Sequence, residues 1–182
     1  MPLFYGIKKP LENLNLDYSK ILTLPIELTK PESLHITILY IGSSKIRSNI
    51  LQEVDSVLQQ IPRFKIIIGP EVDIFPSLMK PRAVVLKVID RSGMLNMIRS
   101  KIFSILNRHG IKIEDRYVGE FRPHLTVGYI RSKLDYESAI DILEIAKELL
   151  KDIRIEVIVD RIELIDSTGG VYKVVYTHWL SS

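Results

Sequence analysis

Two stretches of this 182-residue chain, Leu34-His35-Ile36-Thr37-Ile38-Leu39-Tyr40-Ile41 and Phe121-Arg122-Pro123-His124-Leu125-Thr126-Val127-Gly128-Tyr129-Ile130, carry the same pattern, His-x-Thr-x-x-Tyr-Ile. Each is a short run of β-branched and apolar residues, which predicts a strand, and residues two apart in a strand share a face. His and Thr therefore point the same way, while Ile36 and Ile38, or Leu125 and Val127, turn toward a core. The copies lie 124 − 35 = 89 residues apart. The same offset carries the amphipathic run Ile46 to Gln60 onto Asp135 to Leu149, Phe64 to Ile68 onto Ile153 to Val157, and Ala83 to Val88 onto Tyr172 to Thr177. An internal duplication is the expectation: one two-lobed domain over residues 1–182, with the motif strands near 34–41 and 123–130.

Composition narrows the class. The chain is 46% hydrophobic and 26% charged, as in ordinary globular proteins, and its net charge of +3 permits an anionic ligand without demanding a long nucleic-acid track. Cysteine is absent, which removes disulfides, thiolate nucleophiles and Cys-ligated zinc. No apolar stretch reaches the length of a membrane span, and Met1 to Tyr5 lacks the charged start of a signal peptide. A cytoplasmic protein with no membrane contact is expected.

Strands are predicted at Leu3 to Ile7, Leu34 to Ile41, Phe64 to Ile68, Val72 to Phe75, Ala83 to Ile89, Ile111 to Val118, Arg154 to Val159, Arg161 to Ile165 and Val171 to Trp179. Gly69-Pro70 separates the third from the fourth, and Gly169-Gly170 signals a hairpin before the last. Helical spacing marks Ile46 to Gln60, Met94 to Leu106 stopped by Gly110, and Tyr136 to Leu150, with a short helix or turn near Tyr18 to Leu22. Several connections are too short for parallel crossovers. The expected fold is α+β and bilobal: two pseudo-symmetric, mainly antiparallel sheets, helices outside, and a central cleft where the motif strands meet.

Paired histidines suit acid-base work, because an imidazole with a pKa near 6.5 is either a base or an acid close to neutrality. On opposite sides of a phosphorus atom, His35 and His124 would serve an in-line displacement while the Thr37 and Thr126 hydroxyls hold the non-bridging oxygens. One such histidine alone is more simply a core residue. Two at matching positions favour chemistry. Two histidines without a carboxylate at ligand spacing fall short of a zinc site, so no metal is expected. His109 reads as a helix-end residue and His178 as a strand surface residue.

Pro31-Glu32-Ser33-Leu34-His35-Ile36-Thr37-Ile38, Gly69 with Phe75-Pro76, and Arg122-Pro123-His124-Leu125-Thr126-Val127 resemble the two-histidine phosphoesterases. The most similar branch is the RNA 2',3'-cyclic phosphodiesterases, also called 2'-5' RNA ligases. The resemblance spans Leu3 to Tyr176 and implies hydrolysis of a ribose 2',3'-cyclic phosphate to a 2'-phosphate without metal or nucleotide cofactor. It implies that His35 is the proton donor to the leaving 3' oxygen and His124 the acceptor from water. RNA ends or cyclic nucleotides would be the partners, and a monomer is expected. Joining RNA ends through a 2'-5' bond, or non-catalytic binding of nucleotides or RNA, are the alternatives.

The chain also departs from that family. Relatives often carry a basic residue five places after the second His, where this chain has Tyr129, and four places after the first, where it has Leu39. Arg122, Arg131, Arg116, Lys80 and Arg82 are the candidate replacements. Arg122, Tyr40 and Tyr129 join Thr37 and Thr126 as candidate substrate contacts, the two tyrosines forming either a core pair or a wall of the cleft.

Overall fold

The computed structural model describes residues 2–12, 14, 23–116 and 119–182. Among these, the strands are β1 (Leu3–Ile7), β2 (Glu27–Leu28), β3 (Ile36–Gly42), β4 (Phe64–Ser77), β5 (Lys80–Ile89), β6 (His124–Tyr129), β7 (Ile155–Val159), β8 (Arg161–Asp166) and β9 (Lys173–Trp179). The helices are α1 (Ser48–Leu58), α2 (Met94–Arg108) and α3 (Tyr136–Leu150). Each helix follows its apolar spacing: Ile50, Val54 and Leu58 form the buried stripe of α1, and Ala139, Ile142, Leu143, Ala146 and Leu150 that of α3. The Asp135 carboxylate caps α3 by accepting from the Ser138 amide at 2.8 Å. His109 ends α2, ahead of Gly110 at φ 68°. None of the described helices is long and apolar enough to cross a membrane. The helix or turn expected near Tyr18 to Leu22 lies outside the described residues.

The fold is α+β with a curled antiparallel sheet. Its strand order is β7-β4-β5-β6-β3-β1-β8-β9, with β2 added to β6. The two expected sheets are thus two halves of one, joined where β3 meets β6 through the pair Ile36 and Leu125. Those two residues are separated by 125 − 36 = 89 positions, so the junction pairs each motif strand with its counterpart at the same point. Both side chains are fully buried, as are Ile38, Leu39, Ile41 and Val127. Helices α1 and α2 pack together against β9 and β3, and α3 packs against β4 and β5.

Both motif strands are bulged just beyond their threonine. On β3, Gly6 pairs with Thr37 but Phe4 pairs with Tyr40, three residues on. On β6, Lys87, Val85 and Ala83 pair with His124, Thr126 and Tyr129. Alternate residues of the regular partner share a face, so each bulge brings its tyrosine onto the face of its threonine. Strict alternation would have sent it to the other side.

Four local expectations are corrected. Phe64 to Ile68 and Val72 to Phe75 are one strand, β4, because a register shift against β5 between Ile68 and Val72 absorbs the break. Gly69 sits there at φ 73°, where a Cβ would lie 2.2 Å from the Ile153 carbonyl oxygen. Ile111 to Arg116 is loop rather than strand, and residues 117 and 118 lie outside the described residues. The loop is tied to β3 by the Glu114 amide donating to the Ile41 carbonyl at 3.2 Å and by the buried ion pair of Arg99 and Asp115 at 2.9 Å. Arg99 also donates to the Ile38 carbonyl, inside the β3 bulge. Last, His178 is buried rather than on the surface: its Nδ1 donates to the Asp55 carboxylate at 2.7 Å, and the Tyr176 hydroxyl donates to the other oxygen at 2.6 Å.

The β3–β6 junction rests on few pairs, so its apolar packing carries it. Leu125→Ala should lower stability by about 2 to 5 kcal/mol. A fall in the urea midpoint with unchanged slope is the expected reading, and a shift worth under about 1 kcal/mol would contradict this account of the junction.

Candidate active site

Burying Ile36 and Leu125 decides where the polar pairs go. Extending their antiparallel register by one residue each way sets His35 opposite Thr126 and Thr37 opposite His124. All four side chains line one cavity of about 290 Å³, together with Phe75, Arg82, Ala83 and Tyr129. Arg82 is the cation of that lining. It precedes Ala83, the ladder partner of Tyr129, and its carbonyl accepts from the Ile130 amide at 2.9 Å.

The imidazoles are held in matching ways. His35 Nδ1 donates to the Ser33 carbonyl at 2.8 Å, and His124 Nδ1 donates to the Arg122 carbonyl at 2.7 Å. A carbonyl only accepts, so the proton is on Nδ1 in each ring and Nε2 carries the free lone pair. The two acceptors again stand 122 − 33 = 89 residues apart. Aromatic rings fix the orientation: Tyr172 and Phe4 pack on His35 with centroids at 4.3 and 5.0 Å, and Phe75 stacks on His124 at 4.3 Å.

Those rings also exclude water, and that governs the charge. Burial pushes the His35 pKa down to about 4, with the Ser33 carbonyl pulling it upward and any positive charge on His124, or that on Lys8, opposing its protonation. Burial also lowers His124, against the upward pull of the Arg122 carbonyl. Burial and the Tyr172 hydroxyl, 3.5 Å away, raise the Tyr129 pKa, so this phenol stays a donor. Without a bound anion, both imidazoles are neutral at neutral pH.

The remaining candidates occupy distinct places. Arg122 lies beside His124 but outside the central cavity, its guanidinium over the Phe75 ring at 5.3 Å, donating to the Pro76 carbonyl at 2.9 Å and facing Glu120 at 3.5 Å. Tyr129 lines the central cavity, whereas Tyr40 is not among its lining residues. Arg131 lies over Tyr129 at 5.4 Å and is paired with Glu27. Lys80 and Arg116 line neither cavity that contains His124 and a motif threonine. Sequence reasoning missed Phe4, Tyr172, Arg99 and Asp115. Each reaches the site across a pairing or packing distant in the chain, and no local pattern announces it.

A family model, the 2'-5' RNA ligase superfamily, matches residues 27–171, and the chain belongs to that superfamily. No curated protein matches it. Among solved structures, TT0787 of Thermus thermophilus superposes with a TM-score of 0.66 at 16% identity, covering 98% of this chain and 97% of its own. E. coli LigT complexed with 3'-AMP gives 0.64 at 15% identity, covering 100% of each chain. A protein described as a phosphoesterase gives 0.63 at 17% identity, covering 100% of this chain and 98% of the other. At these identities the likeness establishes a shared fold. Superfamily membership makes this an enzyme of phosphodiester chemistry.

The depressed imidazoles have a consequence for stability. As pH falls below about 6.5 the unfolded chain takes up protons that folded His35 refuses until pH nears 4. Its contribution is therefore full above pH 6.5 and lost as pH falls through 4, a change on the order of 3 kcal/mol. His35→Gln should flatten the pH dependence of the urea midpoint in that window, and an unchanged slope would contradict the buried neutral imidazole.

Proposed function

We propose that the enzyme hydrolyses RNA 2',3'-cyclic phosphate ends to 2'-phosphates, with His35 and His124 as the acid-base pair. The observation that carries the reading is the convergence of both histidines and both motif threonines on one cavity with Arg82. E. coli LigT, which shares the fold, has been crystallised with 3'-AMP and with phosphate. The reading assigns the proton transfers to the two imidazoles.

A phosphate between two neutral imidazoles supplies the missing counter-charge. Its negative oxygens favour protonation of a neighbouring ring, reversing the penalty that burial imposes. His124 Nε2 then takes a proton from water as the water oxygen bonds to phosphorus, and the P–O3' bond breaks on the opposite side. His35, protonated at Nε2, returns a proton to O3'. Thr37 and Thr126 donate to the non-bridging oxygens, and Arg82 offsets the charge that accumulates there. Arg82 replaces the cation absent at Tyr129, reaching the site from the neighbouring strand.

Ligation is the second reading, favoured by a further cavity of about 290 Å³ that His124 also lines, with Phe75, Lys87, Phe121 and Arg122. A 5'-hydroxyl end there would take the place of water. Assaying split RNA halves against a cyclic nucleotide separates the two.

An RNA ending in a 2',3'-cyclic phosphate should yield a 2'-phosphate in the presence of chelator. His35→Ala and His124→Ala should each lower kcat/KM by about 10² to 10⁴, and full activity in either variant sinks the assignment. The pH profile should be bell-shaped, with apparent pKa values that belong to the coupled pair. Arg82→Ala should lower kcat/KM about ten- to a hundredfold, with Arg82→Lys recovering part of it. An undiminished Arg82→Ala rate would move the charge compensation to another residue.

A further inference from the structure

Past the pair Ile36 and Leu125 the two motif strands part, and each leaves an edge whose backbone groups need other partners. On β6 a strand takes that edge: β2 pairs Glu27 with Tyr129 and Leu28 with Gly128, while β5 pairs with the same two residues from the other side. On β3 none of the described strands does so. The 89-residue offset carries Ile26 and Glu27 onto Asp115 and Arg116. The loop Ile111 to Arg116 therefore holds, in its half of the repeat, the place that β2 holds in the other.

The loop meets β3 with one amide and one side chain. The Glu114 amide donates to the Ile41 carbonyl at 3.2 Å, and the Asp115 carboxylate accepts from the Tyr40 amide at 3.4 Å. Arg99, from α2, completes the edge: its guanidinium donates to the Ile38 carbonyl and, at 2.9 Å, to the same Asp115 oxygen. A donor at the carbonyl of residue 38 and an acceptor at the amide of residue 40 are what one residue of a neighbouring parallel strand would supply. Two side chains stand in for that residue. Both are buried, at 7 and 8% exposure. Taking two charges out of water is costly, and apolar side chains of similar size often serve stability as well. What distinguishes this pair is the backbone that it holds.

That backbone is the stretch around Thr37. Ile38 is the extra residue of β3: Tyr5 pairs with Leu39 and Gly6 with Thr37, which leaves Ile38 out of the ladder with β1. A slip that drew it back in would turn the neighbouring side chains to the other face. Arg99 grips Ile38 and Asp115 grips Tyr40, one on each side of Leu39, so the bulge is fixed in place with Thr37 on the cleft face. The pair also lines, with Thr37 and His124, a small cavity of about 60 Å³. Thr126 has no need of such a tie, because β6 is paired on both edges.

We infer, building on the reading of Thr37 as a phosphate contact, that Arg99 and Asp115 are positioning residues: they act on the reaction by holding the β3 bulge that aims the Thr37 hydroxyl at the phosphate.

A variant with both Arg99→Met and Asp115→Leu removes the pair without leaving a lone charge in the interior. On an RNA with a 2',3'-cyclic end it should lower kcat/KM about tenfold, chiefly through kcat, the scale of one hydrogen bond to a charged group lost in the transition state. Combining it with each threonine separates positioning from a general loss of structure. In a Thr37→Val background the same double substitution should cost less than about twofold, whereas in Thr126→Val it should still cost about tenfold, because only Thr37 has already lost what the pair supports. An undiminished rate, or any other pattern across the two backgrounds, overturns the inference. If the variant without the pair does not fold, Asp115→Asn carries the same cycle. It keeps an acceptor for the Tyr40 amide but weakens the tie to Arg99, with a first step of about threefold. If the wild type leaves the cyclic phosphate intact, the hydrolytic reading fails, and the cycle is read on the dissociation constant of inorganic phosphate. Weakening that vanishes in Thr37→Val alone supports the inference, and any other pattern, absence of binding included, overturns it.

Discussion

Where β3 crosses β6, Ile36 and Leu125 sit opposite each other with both side chains out of water. A strand presents alternate residues to opposite faces, so burying these two obliges the residues on either side of them to face the cleft. Those residues are His35, Thr37, His124 and Thr126. A slip of one place would send all four into the core and the aliphatic side chains into the groove, at the cost of several buried side chains at once. The geometry of the cleft is in this sense a by-product of apolar packing: the hydrophobic side of the junction sets the register, and the register aims the polar side chains. The antiparallel crossing also sets each histidine across from the threonine of the other strand, so each facing couple draws on both motifs.

The same packing creates the electrostatic character of the site. Phe4, Tyr172 and Phe75 hold the imidazoles in place but strip them of solvent, and desolvation is the leading reason that both resist protonation. The Ser33 and Arg122 carbonyls partly offset this and fix the tautomer, leaving the lone pair on Nε2. In the proposed mechanism, this enclosed pair of neutral bases becomes an acid-base pair when the substrate phosphate lies between them. Under that proposal, substrate charge is part of the machinery rather than only a handle for binding. The buried Arg99–Asp115 pair serves a different end: it ties α2 to the loop before β6, while Arg99 also holds the Ile38 carbonyl within the β3 bulge next to Thr37.

Much of the architecture was legible in the chain because it rests on local periodicity. The stripes of α1, α2 and α3, the short runs that became β1, β5 and β8, and the repeated His-x-Thr all follow from spacing and side-chain type. The failures share a cause. Gly69-Pro70 looks like a terminator, yet β5 on one side and β7 on the other keep β4 going through it. Ile111 to Arg116 has a strand's composition, but among the described residues no neighbouring strand takes it up and it is tied to β3 by a few contacts. His178 lies in an otherwise half-exposed strand, and only the arrival of Asp55 from α1, 123 residues away, makes its burial tolerable.

What the sequence settled by itself is the inventory: two histidines and two threonines, each pair on one face of its strand, with aliphatic residues to bury behind them. Period-two alternation is a property of a single strand and needs no partner to be read. The tertiary structure decided what surrounds that inventory. It placed Tyr129 in the cavity through a bulge, brought Arg82 from the next strand, and stacked Phe4 and Tyr172 on one imidazole and Phe75 on the other. Bulges, stacking and cavities arise from pairings between distant segments, whose register reflects the packing of the whole core rather than the pattern of any one stretch.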